Sequence, residues 1–434
     1  MNKTEAREHI KSEKYSVPFD VWEFTPLDRA CVRMVIRGTW IFDTKVDVNL
    51  IKDALGKTLS YYPHLAGRMK NRAGITLTNE GAPFSIADEP DLLVEEVLER
   101  DDETNIKFFS TEVKPARMIK GLDAPLSAKV TRLKNGSVLG VQCSHACMDG
   151  DSFYTMVYNW GKICKNEPID KPVLDQSLFP RPDDIPAGEV KAAALEAGWK
   201  KLSFTLILKV LPLIVTGVAR KRSRPFYIST GTIDRLKEKI SSATGSPCSS
   251  NLALSALITK RCLELYNHDE DTRCSVVTVV NTRNRLAGIP ATYAGNSSFS
   301  IATPAFAAGA DIEELAALIG QTLEPIRKSP SPVLQNMMQL NLNVMKHRLP
   351  LAPFNIAGML AKKPTIVYLN NFSRLHIYDI DFGSGIPVRV IPHDLQDQVV
   401  IWPAPPGSGG VEIYLAGIPT RYVNPLENDF FNNN

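Results

Sequence analysis

The sequence lacks an excess of charge of one sign, and it lacks a cysteine framework. Fifty basic and 47 acidic residues give a net charge of +3, which provides no general field for nucleic acid, so any polyanion must bind locally. The seven cysteines are odd in number, scattered and without a Cys-x-x-Cys pair, which argues against a zinc-finger-like site and fits a reducing compartment. We expect Cys143 and Cys147 to be small buried hydrophobes rather than nucleophiles.

The sequence also lacks the apolar runs that target a chain to membranes. Residues 1–14 are charged and contain no apolar segment, which predicts the absence of a secretory signal and a cytoplasmic location. Residues 202–219 are apolar but are interrupted by Lys209 and Pro212, and they fall short of the about 20 residues of a spanning helix. Two interpretations stay open: a crossover covered by protein, which we favour, or an interfacial helix whose basic end at 220–224 meets anionic lipid.

The length of 434 residues exceeds the usual size of a single core and predicts two domains. Proline and polar residues that break the regular patterns predict the first domain at 1–170, a crossover segment at 171–225 and the second domain at 226–434. Strand patterns alternate with longer helical patterns, for example a helix over 250–266 and a strand over 274–281. This alternation predicts an α/β fold built of layers.

The most informative stretch reads His145-Ala-Cys-Met-Asp149-Gly150. Residues 137–144 before it are short and apolar, which predicts a buried strand, and apolar residues at helical spacing follow it from Phe153 to Cys164. The motif is therefore predicted on a strand-to-helix loop, where a rigid scaffold can present a side chain to a cleft. An acyl thioester is already electrophilic, so its transfer needs chiefly a base near neutral pKa, and His145 meets that need.

A metal site is the competing interpretation of His145 and Asp149. The spacing of four residues places two ligands on one face only within a helix, and here it begins before the predicted helix. A catalytic zinc normally has three protein ligands, and the other histidines are scattered along the sequence. We therefore predict no metal.

Further motifs accompany this stretch in a fixed order along nearly the whole chain. They are Thr25-Pro-Leu-Asp28, LGKTLSYYPHLAGRM at 55–69, Val280 to Leu286 with Tyr293-Ala-Gly-Asn296, and Asp381-Phe-Gly-Ser-Gly385. With these motifs the chain resembles the BAHD family of acyl-CoA-dependent acyltransferases, within the chloramphenicol-acetyltransferase-like superfamily. The departure is Ser384, which stands where the family has a tryptophan.

The resemblance implies two similarly folded domains, each with a mixed β-sheet and flanking helices, and an active-site channel between them. It implies direct acyl transfer without an acyl-enzyme, in which His145 is the general base and then protonates the leaving thiolate. Asp149 would be structural and pair with an arginine, for which Arg283 is the candidate, while Gly150 serves the tight turn. The second signature, Asp381, Phe382, Gly383 and Gly385, would be mainly structural, with Ser384 or a nearby backbone N–H as the oxyanion candidate.

Acyl-CoA would be a co-substrate, and no permanently bound cofactor is expected. Ser249 and Ser250 at a predicted helix start, with Lys237 before them, are the candidates for binding CoA phosphates, although ordinary helix capping explains the serines equally well. The acceptor is an alcohol or amine of open identity, and the resemblance favours a monomer. Two alternatives remain: a condensation-type enzyme that uses a carrier-protein thioester, and a catalytically idle binding or scaffold relative.

Overall fold

The computed structural model describes residues 6–15, 17–203, 205–206, 208, 225–392, 398–416, 418, 420–427 and 429–432. The strands in chain order are β1 Ala6–Ile10, β2 Val21–Glu23, β3 Val35–Phe42, β4 Arg68–Lys70, β5 Gly74–Thr76, β6 Ala82–Glu89, β7 Leu126–Leu133, β8 Ser137–Ser144, β9 Lys200–Lys201, β10 Phe226–Ile228, β11 Arg273–Asn281, β12 Ser298–Ala302, β13 Phe306–Ala307, β14 Leu351–Ala352, β15 Ile366–Asn371, β16 Arg389–Pro392, β17 Val399–Pro403 and β18 Val411–Leu415.

The α-helices in chain order are α1 Pro26–Ala30, α2 Val48–Tyr61, α3 Val94–Glu99, α4 Asp102–Phe109, α5 Pro115–Ile119, α6 Gly150–Cys164, α7 Ala187–Glu196, α8 Thr230–Thr244, α9 Ser250–Tyr266, α10 Ile312–Leu323, α11 Pro332–Lys346, α12 Ile356–Met359 and α13 Thr420–Val423. Short 3-10 turns lie at Pro63–Ala66, Gln176–Leu178 and Glu324–Ile326. The helix predicted at 250–266 and the strands predicted at 137–144 and 274–281 are confirmed by α9, β8 and β11.

The chain divides into two compact units. The first comprises Met1–Phe179, Gly288–Ser297 and Leu375–Asp394, and the second comprises Pro180–Ala287, Ser298–Arg374 and Leu395–Asn434. The segments Gly288–Ser297 and Leu375–Asp394 belong to the first unit because their backbones pair with it. In the first segment, Thr292 and Ala294 form backbone hydrogen bonds with Val173; in the second, β16 pairs with β3. The division into 1–170, a crossover at 171–225 and 226–434 stays a prediction for the domain organisation. The compact units differ from it in these two segments, and they divide the predicted crossover between Phe179 and Pro180.

The first unit is built on a six-stranded sheet in the order β1-β6-β7-β8-β3-β16. β6 and β7 pair in parallel, and the other neighbours pair antiparallel. All eight residues of β8 are buried, as expected of a strand covered on both faces. Helix α6 packs against α2, and the indole of Trp160 on α6 donates to the carbonyl oxygen of Ile51 at 2.9 Å. These contacts place the start of α6 at the end of a buried strand.

The second unit is built on a mixed sheet in the order β10-β18-β17-β15-β11-β12, with β13 also paired to β11. β11, β15 and β17 run parallel to one another, and the outer strands are antiparallel. Helices α8, α9 and α10 pack together beside a continuous apolar core that includes Leu257, Val276 and Ile413. A separate small cluster joins α7 to α11 beside the β9–β14 pair. The predicted α/β fold is confirmed.

All seven cysteines are free, and six of them are buried. Cys143 and Cys147 have no exposed surface, which confirms that they pack in the core. Among the described residues, no helix is both long enough and apolar enough to cross a membrane. The apolar stretch 202–219 and its basic end at 220–224 lie largely outside the described residues, at 204, 207 and 209–224.

The tight packing of β8 gives a first prediction. A Cβ added at Gly140 would lie 2.2 Å from the carbonyl oxygen of Phe109, so the Gly140→Ala variant should lose about 1–3 kcal/mol of unfolding free energy. Gly188 on α7 has no atom within 4 Å of the added Cβ, so Gly188→Ala should be neutral or stabilising by up to about 1 kcal/mol. Thermal and urea unfolding of both variants would measure these free energies. Equal unfolding free energies for Gly140→Ala and Gly188→Ala would contradict the close contact between Gly140 and Phe109.

Candidate active site

His145 lies on the loop that joins β8 to α6. Its backbone N–H donates to the carbonyl oxygen of Met34 at 2.9 Å, and the N–H of Cys147 donates to that of Ser144 at 3.0 Å. Asp149 is the N-cap of α6 and accepts from the N–H of Ser152 at 3.0 Å. The predicted strand–loop–helix arrangement is therefore present, and both ends of the loop are held by hydrogen bonds.

His145 as a whole is half-buried, and the Nδ1 atom of its ring is buried completely. Burial alone would lower the pKa of His145, but the nearby sulfur of Cys31 and the carboxylate of Asp149 outweigh this effect and raise the pKa to about 9. The site thus holds a titratable imidazole at the end of a buried strand.

Both carboxylate oxygens of Asp149 accept backbone hydrogen bonds. Oδ1 accepts from Ser152 and Oδ2 accepts from the N–H of Ser297 at 2.9 Å, while the side chain is only 2% exposed. Arg283 lies in the second unit, where its backbone N–H and its guanidinium both donate to the side chain of Asn281. The pairing of Asp149 with Arg283 stays a prediction. Gly150 is the first residue of α6.

A segment about 150 residues further along the chain holds the His145 loop at three points. The amide Nδ2 of Asn296 donates to the carbonyl oxygen of His145 at 2.8 Å, and the N–H of Ser297 donates to Asp149. The hydroxyl of Ser152 lies 3.3 Å from the carbonyl oxygen of Tyr293 and 3.4 Å from that of Gly295. The Tyr-Ala-Gly-Asn motif noted in the sequence, together with Ser297, therefore holds the loop and the first turn of α6 through hydrogen bonds.

Asp28 is a buried residue of this network whose place at the site the sequence did not indicate. Its Oδ2 accepts from the N–H and the hydroxyl of Thr25, each at 2.8 Å, and its Oδ1 accepts from Nδ2 of Asn296 at 2.7 Å. Burial raises the pKa of Asp28 to about 6, although the hydrogen bonds from Asn296 and Thr25 oppose the rise. The Thr-x-x-Asp spacing of a capping box was the available signal.

The Asp381-Phe-Gly-Ser-Gly385 loop is held by one carboxylate and one buried ring. Oδ1 of Asp381 accepts from the backbone N–H groups of Gly383, Ser384 and Gly385 at 2.8–3.1 Å. Phe382 is fully buried, with its ring 5.3 Å from that of Trp160 and 6.1 Å from that of Phe42. These contacts are structural, as the resemblance implies for the family.

This loop lies at the C-terminal end of α6, whereas His145 precedes the N-terminal end. Lys165, just after the helix, pairs with Asp381 at 3.5 Å, and a Cβ added at Gly161 would contact the Asp381 backbone. The 15 residues of α6 span about 22 Å at 1.5 Å per residue. This placement argues against Ser384, or a backbone N–H beside it, as the oxyanion donor, because such a donor must lie near the base, but the assignment stays a prediction.

The family model of the Transferase family matches residues 35–428, which is most of the chain. The chain belongs to this family, the BAHD acyltransferases. It is therefore an acyltransferase, of a family that transfers acyl groups from acyl-CoA to small-molecule acceptors. Both the resemblance and the enzyme class predicted from the sequence are confirmed.

Similar proteins include hydroxycinnamoyltransferase 1 of Oryza sativa subsp. japonica, 26% identical, which aligns with 80% of this chain and 78% of its own length. Stemmadenine O-acetyltransferase of Catharanthus roseus is 25% identical, with 84% and 81% covered. The crystal structure of vinorine synthase matches at a TM-score of 0.66 with 18% identity, covering 99% of both chains. F. graminearum TRI101 complexed with coenzyme A and T-2 mycotoxin matches at a TM-score of 0.71 with 14% identity, covering 91% of this chain and 94% of that chain. These structures confirm the fold.

The candidate CoA-binding residues of this BAHD chain all lie in the second unit. The hydroxyl of Ser249 caps α9 by accepting from the N–H of Leu252 at 3.2 Å, and Ser250 is the first residue of that helix. Lys237 on α8 pairs with Asp234 at 3.2 Å. Capping thus accounts for Ser249, and the role of all three residues in CoA binding stays a prediction. Among the described residues, no group of three His, Cys, Asp or Glu side chains could hold a metal ion.

The position of Ser384 gives a second prediction. The Ser384→Ala variant should keep kcat within about threefold of the parent, because the loop is held by backbone N–H groups and contacts the end of α6 opposite to His145. The Phe382→Ala variant should instead lose about 3–5 kcal/mol of unfolding free energy, since it leaves a cavity beside Trp160. Steady-state kinetics and urea unfolding check the two; a tenfold loss of kcat in Ser384→Ala would instead support Ser384 as the oxyanion donor.

Proposed function

We propose that the chain moves an acyl group from acyl-CoA to a hydroxyl or amine of a small-molecule acceptor, with His145 as the general base and without an acyl-enzyme. The observation that carries the proposal is the position of His145, which is only partly buried and lies on a loop held between a buried strand and α6. The similar proteins add support, since they include a hydroxycinnamoyltransferase and an O-acetyltransferase.

In this mechanism Nε2 of His145 takes the proton from the acceptor as its oxygen or nitrogen attacks the thioester carbonyl. The new bond to the carbonyl carbon forms as the C–S bond breaks, and the proton returns from the imidazolium to the CoA thiolate. A positioned base of this kind contributes roughly 10²- to 10⁴-fold to the rate. Asp149 does not contact the reacting atoms in this scheme; it caps α6 and keeps the loop in shape.

The environment of the neighbouring thiols favours direct transfer over a covalent intermediate. Burial raises the pKa of the Cys143 and Cys147 thiols, so both stay protonated at neutral pH and are poor nucleophiles. Cys31 is only partly buried, and its sulfur is the one that raises the pKa of His145. A Cys31→Ala variant that keeps turning over acyl-CoA would support direct transfer, whereas loss of all turnover would support an acyl-thiol intermediate.

The role of His145 gives a third prediction. His145→Ala should lower kcat by roughly 10²- to 10⁴-fold for acetyl-CoA or a hydroxycinnamoyl-CoA with pooled alcohols and amines. His9→Ala, at an exposed position on β1, is the matched control and should match the parent. Release of free CoA and the product mass are the measurements.

Equal activity of the His145→Ala variant and the parent would refute the base assignment. If neither form releases CoA, the same acyl groups are supplied as thioesters of a carrier protein, with the same alcohols and amines. Turnover of those thioesters would replace the CoA proposal with the condensation-type alternative, and no turnover would favour the idle relative.

The pKa of His145 gives a fourth prediction. A base must be unprotonated to act, and with a pKa of about 9 only about one imidazole in 100 is neutral at pH 7. The value of kcat/KM should therefore rise about tenfold per pH unit from pH 7 and level off near pH 9. In Cys31→Ala the rising limb should move to lower pH, because a group that raises the pKa of His145 is removed. A profile that is flat from pH 7 to 9 would contradict this.

A further inference from the structure

We infer that Asn296, oriented by Asp28, is a positioning residue that holds the backbone of the catalytic loop at His145. The inference rests on the proposed function, since it assigns the support of the proposed base. It arises from a buried chain of contacts that runs from α1 through Asn296 to the main chain of His145. Neither residue contacts the reacting atoms in the proposed mechanism.

The amide of Asn296 commits both of its N–H hydrogens within the first unit. Nδ2 lies 2.7 Å from Oδ1 of Asp28 and 2.8 Å from the carbonyl oxygen of His145. Both partners are pure acceptors when Asp28 is ionised, so only the nitrogen of the amide can face them. Asn296 is 4% exposed and Asp28 is fully buried, which limits competition from water.

Asp28 is itself held rigidly, which makes it a suitable anchor. Its Oδ2 accepts twice from Thr25, within the capping box that starts α1, and Nε2 of Gln176 lies 3.4 Å away. The N–H of Asn296 also approaches Oδ1 at 3.3 Å. Because the carboxylate is surrounded by donors, it fixes the orientation of the Asn296 amide, and a hydrogen bond to a charged acceptor is stronger than a neutral one.

These contacts control the backbone on both sides of the proposed base. The N–H of His145 is bound to the carbonyl oxygen of Met34, and its carbonyl oxygen is bound to Asn296. With both peptide groups held, the imidazole projects from a backbone that cannot rotate freely. A misplacement of about 1 Å of a catalytic group can cost about 10²-fold in rate, so loss of this support should reduce kcat rather than substrate binding.

The test compares Asn296→Ala with Asn105→Ala in the full-length protein. Asn105 on α4 is also buried, and it also donates from Nδ2 to a backbone carbonyl oxygen, that of Val97 at 2.8 Å. We expect Asn296→Ala to lower kcat by roughly 10- to 100-fold, with KM for acyl-CoA and acceptor within about threefold. We expect Asn105→Ala to lower the melting temperature but to keep kcat per folded protein.

The inference is overturned if Asn296→Ala keeps kcat within threefold, or if its loss of activity equals its loss of folded protein. Asp28→Asn, which keeps the shape of the side chain, is the second variant if Asn296→Ala does not fold. It should lower kcat at least threefold with unchanged KM, and full activity in that folded variant would overturn the role of Asp28. His145→Ala is assayed in parallel: if it is inactive while Asn296→Ala is fully active, the inference fails and the proposed base stands.

Discussion

The hydrogen bond from Asn296 to the carbonyl oxygen of His145 is the contact on which the geometry of the site depends. It joins residues 151 positions apart in the sequence, and its neighbours Ser297 and Tyr293 bind Asp149 at the end of the loop and Ser152 in the first turn of α6. A loop between a strand and a helix would otherwise have several accessible backbone conformations, each ordered residue costing about 1–2 kcal/mol in entropy. Three contacts from one segment confine the loop to a single conformation.

This arrangement requires two buried carboxylates close to the base. Asp149 is satisfied at the N-terminus of α6, where a helix favours negative charge. Asp28 is buried more completely, and burial raises its pKa to about 6, so at neutral pH it is mostly ionised and still accepts from Thr25 and Asn296. Unsatisfied buried charges are costly, so these residues fix one conformation of the loop only while every donor is in place.

Local features of the site could be predicted from the sequence, and long-range ones could not. The buried strand β8, the loop with His145 and the helix α6 follow from hydrophobic periodicity and capping residues that lie within 30 residues of one another. The role of Asn296 depends on a contact that no periodicity encodes. The membership of Leu375–Asp394 in the first unit likewise depends on the pairing of β16 with β3, which are far apart in sequence. The sequence motifs marked these two segments as important, but they did not show which residues the segments contact.

Helix α6 connects the two signature motifs of the family. Its N-terminus is capped by Asp149, and near its C-terminus the ring of Trp160 packs on Phe382 while Lys165 pairs with Asp381. These contacts hold the C-terminal end of α6 in the first unit. They use the ring of Phe382 and the loop whose backbone N–H groups donate to Asp381. The side chain at 384 supplies none of these contacts, so they are retained with serine at this position.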